Sequence, residues 1–139
     1  MKVQQDTAVF VLRITLAFGF LSAVASRLNL WGTRSSGWKN FVHYTAETNS
    51  FLPQSWASII AVLSTAAEVS VGILLLVGYK IKATARCASI LTLLFAVAMS
   101  ISFGIKEPLD YSVFVFSAGA FLLSTFSCYK WSFDQFLHH

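Results

Sequence analysis

Two residues carry most of the chemistry that this chain could do. Arg13 and Glu68 are the lone charges of two long apolar stretches, residues about 7–26 and 55–79. A charge at the centre of a membrane helix costs ~2.5–3.5 kcal/mol on insertion scales, so each needs a partner or a purpose. A guanidinium and a carboxylate in hydrocarbon can neutralise one another and lock two helices together. They can also flank an apolar slot, where the arginine donates to a ligand oxygen and the carboxylate exchanges a proton. Counted from the ends of their stretches, Arg13 and Glu68 differ in depth by roughly 4–5 Å at 1.5 Å per residue, within an arginine's reach. The expectation is an Arg13–Glu68 charge pair, and both roles for it stay open. Beside Arg13 lie Phe10, Ala17, Phe20 and Val24, while the small residues Thr15, Gly19, Ser22 and Ser26 lie on the opposite face.

Arg86, Asp110 and Tyr111 are secondary site candidates. Arg86 sits near the start of a third apolar stretch, where its side chain can snorkel to the boundary. Asp110 and Tyr111 begin a fourth, where Asp110 and Glu107 complement the helix dipole after Pro108. His43 falls in a loop and reads as solvated or hydrogen-bonded, and no metal site is expected. His138 and His139 are assigned no role. Cys87 and Cys128 form no C-x-x-C and are expected to be unbridged and non-catalytic. No histidine lies inside an apolar stretch to ligate haem. A redox role would therefore need a diffusible ligand or a partner protein, with no covalently bound cofactor.

The elements that position these residues follow from composition. Of 139 residues, 56% are hydrophobic and only 12% charged, and the mean hydropathy is +0.67, which points to lipid as solvent. Four segments, about 7–26, 55–79, 83–105 and 109–129, approach the ~20 apolar residues that a spanning helix needs. A retained first helix fits better than a cleaved signal, because it is long and interrupted by Arg13. The basic residues are scattered, which argues against nucleic acid. Lys80, Lys82 and Arg86 crowd one short link, so the positive-inside rule puts that link and both termini in the cytoplasm.

Residues 27–54 form the one long connection, expected outside. Within it Trp38, Phe41, Val42 and Thr45 recur at helical spacing, predicting a short amphipathic interfacial helix. Ser64, Glu68 and Gly72 line one face of the second segment. Ala85, Ala88, Ser89, Thr92, Ala96 and Ser100 stripe the third, and Ser117, Ala120, Ser124 and Cys128 the fourth, as packing seams between membrane helices. The fold class is all-α: a single-domain, integral membrane four-helix bundle over residues 1–139.

Arg13 in VLRITLAFGF, Glu68 in AAEVSVGILLLVG, the turn YKIKATAR ending at Arg86, and KEPLDYSVFVFSAGAFLL around Asp110 occur in the order and spacing of a known family. On these stretches the chain resembles the DoxX/DoxD family of small four-helix membrane proteins over nearly its whole length. Members often close the first helix with a Gly before a Lys. Here the stretch is SAVASR, which keeps a basic residue, Arg27, and lacks the Gly. The resemblance implies a bacterial-type cytoplasmic (inner) membrane. It also implies kinship with a membrane subunit of a thiosulfate:quinone oxidoreductase and with proteins of catechol and quinone resistance. The resulting expectation is an accessory subunit that binds a quinone or aromatic molecule for a redox partner protein and is not catalytic alone. A small-molecule permease and a non-catalytic scaffold, each able to form oligomers, are the alternatives.

Overall fold

The computed structural model describes residues 2–137, so His138 and His139 lie outside it. The described residues form seven α-helices: α1 Lys2–Arg27, α2 Trp38–Thr48, α3 Ala57–Val77, α4 Ile81–Phe103, α5 Lys106–Asp110, α6 Val113–Ser124 and α7 Phe133–Leu137. No strand occurs among the described residues. Three helices are long and apolar enough to cross a membrane: α1, α3 with the short turn before it, and α4.

The fourth apolar segment departs from expectation. Instead of one helix over about 109–129, it divides into α5 and a shorter α6. The break falls at Tyr111 and at Ser112, whose φ of 56° is left-handed and cannot continue a helix. After Ser124 the chain is irregular until α7. Of the four expected spans, three are found at spanning length.

Two antiparallel pairs, α1 with α3 and α4 with α6, carry most of the helix packing. The α4–α6 seam is built from the small residues read in the sequence. Ala85, Ala88 and Ala120 are wholly buried. Ser89 Oγ donates to the Ser117 carbonyl at 3.0 Å and Ser117 Oγ to the Ser89 carbonyl at 2.8 Å, so each hydroxyl is satisfied where no water can serve it. Between α1 and α3, Gly72 gives space to Leu21: a Cβ at Gly72 would stand 2.9 Å from Leu21 Cδ2. That close approach sets the register of the pair.

Helix α2 is amphipathic as expected, but it packs on the end of the bundle against α3 and α4. It buries Phe41, Thr45 and Thr48. Tyr44 stacks on Phe103 at 5.9 Å, and Ser50 shares a hydrogen bond with Ser102 at 2.9 Å. Burial raises the Tyr44 phenol above its usual range.

The opposite end gathers both ends of the described chain and the α3–α4 turn. Lys130 Nζ bonds Asp6 Oδ2 at 2.9 Å, which raises the lysine above its ordinary value. The Asp134 N–H donates to the Gly78 carbonyl at 2.9 Å, and the Asp134 carboxylate accepts the N–H groups of Lys80 and Ile81 at 2.7 and 2.8 Å. The last of these caps the N-terminus of α4.

Candidate functional site

Glu68 does not meet Arg13. Its Oε2 is ion-paired with Arg27 Nη1, and the expected Arg13–Glu68 pair is corrected to Arg27–Glu68. The reason is register. Arg13 stands level with Gly78, ten residues or about 15 Å along α3 from Glu68 at 1.5 Å per residue. Arg27 stands level with Glu68, and the two side chains are only 9% and 10% exposed.

Arg27 is the residue that sequence reasoning missed as a site. Its signal was present: Arg13, Ala17, Phe20, Val24 and Arg27 follow a 4, 3, 4, 3 spacing, and all five are buried on one face of α1. The stretch is also the one where a basic residue is kept without the Gly.

The arginine is held from three sides. Nη1 also donates to Thr65 Oγ1 at 3.1 Å, and the guanidinium lies 3.7 Å from the centre of the Phe41 ring, a cation–π contact strengthened by exclusion of water. Phe41 is supplied by α2, so the loop helix closes the site. Arg27 Nε and Nη2 make no hydrogen bond among the described residues.

A cavity of about 210 Å³ opens beside the pair between α1, α4 and α6. Arg27 and Glu68 form its polar end, and Phe20, Leu91, Phe95 and Phe116 its apolar walls. Gly19 lets Phe116 close in, since a Cβ there would lie 2.8 Å from Phe116 Cε2. A second lobe of about 480 Å³ beneath α2 shares Ala23, Arg27, Phe95, Tyr111 and Val113 with the first and adds Phe41, Tyr44 and Met99. An apolar slot with one charged end is the usual form of a small-molecule site.

The other sequence candidates separate. Tyr111 borders both lobes. Asp110 is exposed and pairs with Lys106 on its own short helix. Arg86 is exposed on α4, away from either lobe. Arg13 is buried at the opposite end of α1, where Nη2 donates to the Trp131 carbonyl at 2.8 Å and the guanidinium lies 5.2 Å from the Phe10 ring. Its Nε and Nη1 have no hydrogen-bond partner among the described residues. Arg13 thus holds the C-terminal segment against α1 and takes no part in the cavity. Cys87 and Cys128 are free thiols, both exposed. Among the described residues no three metal-ligating side chains cluster.

The family model for DoxX matches residues 8–101, which is α1 through nearly all of α4 and includes Arg27 and Glu68. The chain belongs to the DoxX family. The match takes in three of the cavity's walls' contributors, α1, α3 and α4, and leaves Tyr111 and α6 beyond it. No curated protein and no solved structure matches the DoxX chain. With its three long apolar helices, this DoxX protein is a multi-pass membrane protein.

Proposed function

We propose that the chain is a membrane-embedded accessory subunit of a redox system that binds a quinone or a related aromatic molecule between its helices. The observation that carries this reading is the cavity ending on Arg27, whose Nε and Nη2 are uncommitted while Nη1 is held by Glu68 and Thr65. A quinone needs a flat apolar slot for its ring and a donor for its carbonyl oxygen. Phe20, Phe95 and Phe116 supply the slot, and Arg27 supplies the donor. Glu68 orients the guanidinium toward the slot through their ion pair. Electrons come from a separate redox partner protein, so the chain alone is inert. A helix-locking scaffold is the second reading, favoured by how fully the Arg27–Glu68 pair is buried.

Titration of the purified protein with a short-chain quinone distinguishes the two. Saturable quenching of tryptophan fluorescence is expected, because Trp38 packs at 5.8 Å on Phe41, which covers Arg27. Ala23→Leu, which adds bulk to both lobes and no fluorophore, is expected to weaken binding at least tenfold while the protein stays folded. No saturable quenching, or quenching unchanged by Ala23→Leu, would leave the scaffold.

The protein resides, on this reading, in a bacterial-type cytoplasmic membrane with both termini and the Lys80–Lys82 turn in the cytoplasm. The proximity of Asp6, Lys130 and the α3–α4 turn supports a common side, and the basic turn supports that side being the cytoplasm. In intact cells a membrane-impermeant maleimide is expected to label a cysteine placed at Lys39 and to spare Cys128. Labelling of Cys128 without permeabilisation would reverse the orientation.

A further inference from the structure

A second cavity, of about 620 Å³, lies at the end of the molecule opposite Arg27. It sits between the start of α4, the irregular chain after α6, and α7. Three lysines line it, Lys80, Lys82 and Lys130, with Ser127 and Gln135 as further polar groups. Its one acid, Asp134, is already engaged, with both carboxylate oxygens accepting backbone N–H groups. Lys130 is bound to Asp6, whereas Lys80 and Lys82 have no carboxylate partner among the described residues. The pocket therefore carries net positive charge with donors to spare.

The residues next to its lining in the chain are apolar. Trp131, Phe133, Phe136 and Leu137 are 56%, 46%, 79% and 58% exposed, and Tyr79 packs against Phe133 at 6.0 Å. Large aromatic side chains bared at one end of a set of membrane helices belong at the level of lipid headgroups. That places Lys80 and Lys82 where lipid phosphates lie, and a basic pocket between helix ends at that depth suits an anionic headgroup.

We infer that this pocket holds the phosphate of an anionic phospholipid, with Lys80 and Lys82 as its counter-charges and Ser127 and Gln135 as hydrogen-bond partners. The exposed Phe133 and Phe136, which flank the lining residues Asp134 and Gln135 on α7, favour a lipid over free phosphate, because they offer acyl chains an apolar surface beside the pocket.

A bound lipid raises the unfolding temperature by mass action, which makes the inference testable on the full chain in neutral detergent. Dioctanoyl phosphatidylglycerol is expected to raise the midpoint by several degrees, and dioctanoyl phosphatidylcholine and inorganic phosphate at equal concentration to leave it nearly unchanged. Lys82→Gln, alone and with Lys80→Gln, is expected to remove at least half of that rise. Lys39→Gln with Lys106→Gln, at the other end of the molecule, is expected to keep it. An equal rise with phosphatidylcholine or with inorganic phosphate would overturn the inference. So would a rise unaffected by Lys82→Gln, or one reduced equally by the Lys39 and Lys106 control.

Discussion

Glu68→Gln is expected to lower the unfolding free energy by about 3–5 kcal/mol, the range for removing one partner of a buried ion pair and stranding the other. Arg27→Gln should cost a similar amount, for the reciprocal reason. The double variant should cost clearly less than the sum, because neither charge is then left alone beneath Phe41. Combining Glu68→Gln with Arg13→Gln should give additive losses instead, since the two sites are about 15 Å apart along α3 and share no contact. Equilibrium unfolding in mixed micelles measures all of these. A coupled Arg13–Glu68 pair with an additive Arg27–Glu68 pair would reverse the assignment of the site.

Gly78→Ala is the second substitution with a large expected effect. Gly78 ends α3 at a φ of +81°, and both its N–H and that of Tyr79 donate to the Leu74 carbonyl, a left-handed termination that only glycine makes without strain. An added Cβ would also overlap Arg13 Nη1 and stand 2.6 Å from Ser132 Cβ and 2.9 Å from Ser132 Cα. Part of that neighbour is backbone and cannot swing away. Strain and overpacking together predict a loss of about 2–5 kcal/mol. The C-terminal segment beyond Ser127 should also become sensitive to protease. Gly104→Ala is the control: its φ is +93°, but nothing lies within 4 Å of the added methyl. It should cost the backbone strain alone, about 1–3 kcal/mol, because its φ of 93° with a ψ of 162° lies where residues other than glycine are rare. A loss at Gly78 no larger than the strain of a left-handed alanine, about 1–2 kcal/mol, would mean that the contact with Arg13 and Ser132 carries no weight.

The sequence made the helical segments legible wherever one face had a job. The apolar lengths of α1, α3 and α4 and the Trp38, Phe41, Val42, Thr45 pattern of α2 are each local, and the structure keeps them. The seam of Ala85, Ala88, Ser89 and Ala96 was readable for the same reason. The partner of Glu68 was not. Periodicity says which face of a helix a residue occupies but not its height against a neighbour, and that height is set by a nonlocal contact, Leu21 seated on Gly72. Helix α1 also overhangs the end of α3: it starts at Lys2, and Arg13, well inside it, is level only with Gly78. Arg27, at the boundary between the apolar stretch and the long connection, gives no local sign that it stands level with that carboxylate. The break at Ser112 was hidden for a different reason. Neither Gly nor Pro marks it, and Pro108 lies buried inside α5, so no local signal showed where the fourth segment divides.

That division has a consequence for the bilayer itself. Helix α6 has 12 residues, about 18 Å of rise, against a hydrocarbon layer of about 30 Å. It presents Val115, Phe121 and Leu122, at 72%, 61% and 52% exposure, to its surroundings, while α1, α3 and α4 are long enough for the full thickness. The protein is thus taller on one flank than on the other. Acyl chains beside α6 must shorten or tilt to cover a low apolar wall, a hydrophobic mismatch confined to one side. The cheapest place for that flank is a thin patch of membrane or the matching low flank of another protein.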